Sequence, residues 1–222
     1  LQDPRTALGF AEEAVERSGG EVPYILDTLA LAFHRTGENE SAVEVERRAV
    51  AGLSPDDLQG SLRRDLEYNL VRFHLGREDV DAAVRILDER LARNRRQLQE
   101  GDLGVCQPLY DQAVLLVDEG QYALAEPRAR EALDLFRRAS AGDRRWRTAR
   151  AEALYGRCLA GLGRFAEAEA LLLEAYESLE GIPLAGVEEA QGQALGWIVR
   201  LYEDWGKPDE AARWAVRRDS PR

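Results

Sequence analysis

The side chains able to do covalent or metal chemistry are few and scattered. The chain has 222 residues with two histidines, His34 and His74, and two cysteines, Cys106 and Cys158. A nucleophile needs its base alongside, and a metal needs several converging ligands. No CxxC pair, HExxH stretch, EF-hand loop, GxGxxG or GxxxxGK[ST] cradle accompanies these residues. The carboxylates stand mostly three or four positions from a basic residue, as Glu13 from Arg17 and Glu203 from Lys207. That is the spacing of a solvated helix face. No catalytic, metal-binding or cofactor-binding residues are therefore expected, and the chain reads as a non-enzyme. The thiols read as half-buried core positions in a reducing compartment rather than a disulfide framework, which makes a cytoplasmic location the expectation.

One constellation could make ionic chemistry. The segment RRASAGDRRWRTAR, residues 137–150, gathers Arg137, Arg138, Arg144, Arg145, Arg147 and Arg150 around Trp146. Cations interleaved with an aromatic can neutralise and stack on a nucleic-acid strand. The net charge of −11 argues the other way, because phosphate backbones attract basic surfaces. The segment is expected to be a connector and the first turn of a helix, with Trp146 packing on the preceding pair. Neither nucleic acid nor a membrane is an expected partner, and no run approaches the roughly 18 apolar residues of a membrane span.

The elements that position these residues repeat. An apolar helix ends in Gly, and an Ala follows five residues later, in Gly37…Ala42, Gly120…Ala125, Gly163…Ala168 and Gly206…Ala211. The last three glycines are spaced by 43 residues each, and the 83 residues between Gly37 and Gly120 leave room for one more copy. EDVDAA supplies it, with Glu78 at the glycine position and Ala83 in register. Ala7, in RTALGFAEEAVE, marks the second helix of an incomplete leading pair. Glycine ends a helix because it enters the left-handed region without a steric penalty. The alanine suits a close crossing of two antiparallel helices.

Apolar residues stand eight and four before the turn, at Leu29 and Phe33, Leu70, Leu116, Tyr155 and Leu159, Ile198 and Tyr202. Seven before it stand Ala30, Val71, Ala113, Gly156 and Val199. These offsets share one helical stripe. Tyr122 and Phe165, two after the glycine, are expected to staple the second helix onto the first. The first pair carries Asn39 there and polar Glu46 on its packing side, and the second has Arg90 where a small residue is expected.

At these residues the chain resembles the tetratricopeptide repeat family, with EGQYALAEPRAREALDLF and LGRFAEAEALLLEAYESL its nearest segments. The period exceeds the family's usual ~34 residues and is similar to the longer variety of kinesin light chains and of the helical tails of bacterial serine/threonine kinases. The resemblance implies an all-α, right-handed α-solenoid of antiparallel helix pairs over 1–222. Its expected parts are a half repeat at 1–20 and pairs near 23–56, 58–100, 103–140, 145–181 and 184–218. Because the chain opens Leu1-Gln2-Asp3-Pro4 and has no methionine, a fragment of a longer protein is expected.

The resemblance also implies a groove lined by the first helix of each pair, at thirteen, ten, six and two before the turn. Six before, the series reads Leu31, Arg72, Val114, Arg157, Arg200; ten before, it reads Asp27, Tyr68, Tyr110, Ala153, Gly196. Tyr24, Asn69, Asp111, Arg150 and Trp197 stand nearby. The expected partner-binding residues are Tyr24, Tyr68, Asn69, Arg72, Tyr110, Arg150, Arg157, Trp197 and Arg200. Arg72, Arg150, Arg157 and Arg200 would form a basic track for an acidic or phosphorylated peptide, arginine being suited to bidentate contacts. Asp27 and Leu31 stand where a chaperone-tail binder would begin its Lys/Asn pattern, so that partner is not expected. The implied function is a protein–protein interaction scaffold, with self-association through an end helix open. The alternative is a sensory or autoregulatory domain of a larger signalling protein.

Overall fold

The computed structural model describes residues 3–54, 60–97, 103–139, 145–182 and 185–219. Arg144 of the basic segment lies outside the described residues. Eleven α-helices and no strands occur among those described. They are α1 (Pro4–Arg17), α2 (Pro23–Thr36), α3 (Asn39–Ala51), α4 (Ser61–Gly76), α5 (Val80–Gln97) and α6 (Leu103–Asp118). The remainder are α7 (Tyr122–Ala139), α8 (Arg145–Gly161), α9 (Phe165–Leu179), α10 (Ala185–Asp204) and α11 (Pro208–Asp219). Contacts divide the chain into two compact units, Leu1–Arg90 and Leu91–Arg222.

The repeated turn has one geometry in five places. Gly37, Gly120, Gly163 and Gly206 all sit at positive φ. Glu78 joins them at φ 61, the one non-glycine residue in that region among those described. Around it the N–H of Glu78 donates to the Leu75 carbonyl at 2.9 Å and that of Asp79 to the His74 carbonyl at 2.9 Å. Gly163 and Arg164 make the matching pair to Ala160 and Leu159, at 3.0 and 2.9 Å. Both orphan carbonyls of the ending helix are thus satisfied, whichever residue occupies the turn.

In the first unit, α2, α3 and α4 pack on one another and α1 on α2. Their core holds Leu26, Leu29, Ala30, Ala42, Val43, Ala49, Leu66, Leu70 and Phe73. In the second unit, α6 to α11 pack in sequence, and α8 touches both α6 and α10. One cluster there runs from Ala149 through Leu172, Tyr176 and Ile198 to Ala211, with Trp146, Phe165, Trp197 and Trp205 against it. Ala42, Ala83, Ala125 and Ala168 have no exposed surface, as close helix crossings require. A Cβ on Gly156 would stand 2.9 Å from Leu172 Cγ.

In three pairs the residue two after the turn, Asn39, Tyr122 or Phe165, packs at the following first helix or its end. Tyr122 lies on Gly161, where an added Cβ would fall 2.2 Å from the ring. Asn39 takes the same place on Gly76, where a Cβ would fall 2.7 Å from its amide nitrogen. The Asn39 amide donates to the Gly76 carbonyl at 2.9 Å and its oxygen meets His34 Nδ1 at 2.6 Å. A polar bridge thus replaces the aromatic staple in the first pair. Phe165 stacks on Trp205, with centroids 5.6 Å apart. The apolar stripe also has polar members: His74 is buried and bonded to Asp79 Oδ2 at 3.1 Å, and buried Gln112 accepts from Arg128 Nε at 3.3 Å. Cys106 and Cys158 are free and buried.

Candidate functional site

Within the second unit the first helices α6, α8 and α10 lie side by side. Arg150, Ala153 and Arg157 share a face of α8 because their spacing of three and four keeps them within one stripe. The Arg150 guanidinium lies over the Tyr110 ring at 4.1 Å and over Trp146 at 5.5 Å. Its Nη2 donates to Gln107 Oε1 at 2.9 Å, across the 43 residues of one repeat period. Gln107 in turn donates to Asp111 at 2.6 Å. Burial pushes the Tyr110 hydroxyl up to about 12, against the pull of Arg150, so it stays a neutral platform.

Arg157 is built in more deeply. Only 8% of it is exposed; Nη2 donates to the Tyr122 hydroxyl at 2.5 Å and Nη1 to Asp204 Oδ2 at 3.4 Å. The guanidinium also covers the Tyr122 ring at 4.9 Å. Arg157 therefore ties α7, α8 and α10 together. Arg200 stands out at 60% side-chain exposure, with Nε 3.1 Å from Asp204 Oδ1 and Nη1 3.9 Å from Glu203 Oε2. Ion pairs this close to solvent are weak, so the Arg200 guanidinium stays open to a partner. Beside Arg200, α10 presents Gly192 and Gly196, with nothing within 4 Å of a Cβ built on either. Trp197 is half-buried against the core.

The first unit holds the other expected residues. Tyr24 is 63% exposed at the start of α2. Tyr68 is half-buried under the guanidinium of Arg90, 4.1 Å from its centroid. Arg72 is half-buried on α4. Asn69 donates to Asp27 Oδ1 at 2.7 Å, joining α4 to α2. Behind that pair Glu46 has no exposed surface, and neither of its oxygens accepts a hydrogen bond. Burial first, then the neighbouring Asp27 charge, push its carboxyl up to about 9. At neutral pH Glu46 is a neutral acid.

Sequence reasoning placed Arg157 in the track without its partners Tyr122 and Asp204, and Arg150 without Gln107. The Gln107–Arg150 pair carried a usable signal, since both occupy the position thirteen before their turns. Arg157 with Tyr122 carried none, because it depends on how α7 crosses α8. Among the described residues no group of three or more His, Cys, Asp or Glu side chains could hold a metal ion. No described helix is long and apolar enough to cross a membrane.

Stacked antiparallel helix pairs with a glycine turn and a buried alanine define an all-helical repeat protein. Residues 105–181, from α6 through α9, match the tetratricopeptide repeat family. BtubC (BKLC) from P. vanneervenii is similar over 97% of this chain and 86% of that one, with TM-score 0.57 and 16% identity. The nearly identical TPR-like repeats of a kinesin light chain candidate from Podosopora anserina cover 86% of this chain and 90% of that one. Their TM-score is 0.55 and their identity 17%; a point variant of the same repeats gives 0.57 and 16% at the same coverage. No curated protein matches the chain. Tetratricopeptide domains are in general protein–protein interaction modules rather than catalysts.

Proposed function

We propose that this chain binds an extended polypeptide segment along the first-helix face of its second unit, over α6, α8 and α10. The observation that carries the reading is the juxtaposition on α10 of a bare backbone at Gly192 and Gly196 with the exposed Arg200. Open space over two glycines lets a partner backbone approach closely, and an arginine beside it gives that approach a direction and a charge preference. The Arg150–Tyr110 stack extends the face with a flat cation, and Trp197 borders it. An acidic or phosphorylated segment complements these guanidiniums. In the first unit Tyr24, Tyr68, Asn69 and Arg72 are the corresponding contacts, beside the acid at Asp27.

The test is a parallel affinity selection of polypeptide partners on the wild-type chain and on Gly196→Trp. The indole fills the open space over α10 without touching the core. Partners retained by the wild type and lost by a variant of unchanged helicity support the reading. An identical partner set on both proteins refutes it.

A further inference from the structure

In the first unit a buried acid stands behind a half-buried one, and no described cation pairs with either. Three side chains meet there, Asp27 from α2, Glu46 from α3 and Asn69 from α4. The Asn69 amide donates to Asp27 Oδ1 at 2.7 Å, and the Glu46 carboxyl lies against both residues. Asp27 is half-buried and forms no ion pair among the described residues. Glu46 supplies a second, independent observation: it has no exposed surface, and neither of its oxygens accepts a hydrogen bond.

Acceptors outnumber donors in this cluster. Two carboxyl groups and the Asn69 amide oxygen can accept, whereas only the Asn69 amide and the proton retained by Glu46 can donate. Burial, and then the Asp27 charge, hold that proton on Glu46. Buried oxygens without a donor cost stability, and a cation brought to them supplies what is missing. The approach from solvent suits a particular kind of cation. Tyr24, Asp27 and Leu31 recur at three and four, so they share one stripe of α2. Tyr24 is exposed and Leu31 is half-buried. An aromatic ring attracts a cation over its face, and an aliphatic side chain covers the methylene stem of a lysine. Ring, carboxylate and aliphatic surface in that order match an ammonium carried on an alkyl chain.

We infer that the α2 stripe at Asp27, backed by Glu46 and Asn69, is a site for the ammonium group of a lysine side chain in a bound polypeptide. The inference rests on the polypeptide reading only for the nature of the ligand, since every residue of the site belongs to the first unit. The ammonium takes the place of the Glu46 proton: the cation enters beside Asp27, the proton passes to solvent, and two carboxylates are left around one cation. Of the elements packed against α3, α2 turns the Asp27 charge towards Glu46 and α4 turns the Asn69 amide. Binding that releases a proton strengthens as pH rises.

The experiment titrates the full chain with an end-capped peptide carrying one lysine among serines and glycines, with its acetyl-lysine twin, and with n-butylammonium. Amide resonances are followed by NMR. Saturable shifts centred on residues 24–31, 46 and 69, present with the lysine peptide and absent with its twin, are the expected result. Affinity falls about tenfold in Asp27→Asn, the loss of one charge-assisted contact, with its helicity checked by circular dichroism. In the wild type affinity rises several-fold from pH 6 to pH 8. That rise is lost in Glu46→Gln, whereas a merely structural role for Glu46 would leave it in place. Butylammonium bound as tightly as the peptide overturns the polypeptide ligand in favour of a free amine. No shift at these residues, or equal binding by the twin or by Asp27→Asn, overturns the site. Such a failure leaves the second-unit face to be judged separately, by the partners of Gly196→Trp.

Discussion

Glu46→Gln tests how the first unit tolerates a carboxyl in its core. The side chain has no exposed surface, no donor to its oxygens and the Asp27 carboxylate nearby. Its pKa is therefore raised from 4.5 to about 9. The folded chain keeps a proton that the unfolded chain releases above about pH 4.5. Stability then falls as pH rises through that value and levels off only above about pH 9. At roughly 1.4 kcal/mol per pH unit the cost is under about 1 kcal/mol at pH 5, about 3 at pH 7 and about 5 at pH 8. Glutamine has nearly the same shape, and its amide N–H can face Asp27 as the protonated acid does, without the titration. Urea unfolding of both proteins, followed by circular dichroism at pH 5 and pH 8, reads the difference. Hydrogen exchange of the α2–α4 amides localises it. Glu46→Gln should be nearly neutral at pH 5 and stabilising by a few kcal/mol at pH 8. A difference that is the same at both pH values would refute the reasoning.

Three further consequences concern packing and turns. Glu78→Gly should raise stability by about 1 kcal/mol, because a side chain in the left-handed region costs that order and glycine does not; urea midpoints measure it. Gly161→Ala should destabilise by about 1–3 kcal/mol, since a Cβ there collides with the Tyr122 ring and overpacking of that kind strains the neighbours. Its crystal structure should show Tyr122 displaced from Arg157. Cys158 is buried, and burial pushes its thiol up to about 12, so a disulfide reagent should modify it only at the rate of unfolding; rapid modification of the native protein would contradict its placement.

Much of the helical frame was legible because it rests on local rules. The turn glycines Gly37, Gly120, Gly163 and Gly206 marked the ends of α2, α6, α8 and α10 to within two residues of their last helical positions. Glu78 was legible as a substitute for glycine because the register demanded a residue there, and its positive φ follows from that demand. Arg90 and Glu46 were visible as departures from the pattern, yet what they do was not. Arg90 covers Tyr68, whereas no donor meets Glu46, and only three-dimensional neighbours separate those outcomes. The same holds for the arginine series. Spacing put Arg150, Arg157 and Arg200 in one register, but Arg157 is consumed by Tyr122 and Asp204 whereas Arg200 remains exposed.

The central claim, that a polypeptide lies on the first-helix face of the second unit, is tested most directly by photocrosslinking. A benzophenone side chain is placed at Gln193 on α10, and at Glu174 on α9 for comparison, and each chain is irradiated with a partner captured by the wild type. A crosslink from position 193 and none from 174 is the expected result. A crosslink from 174 with none from 193 would contradict it.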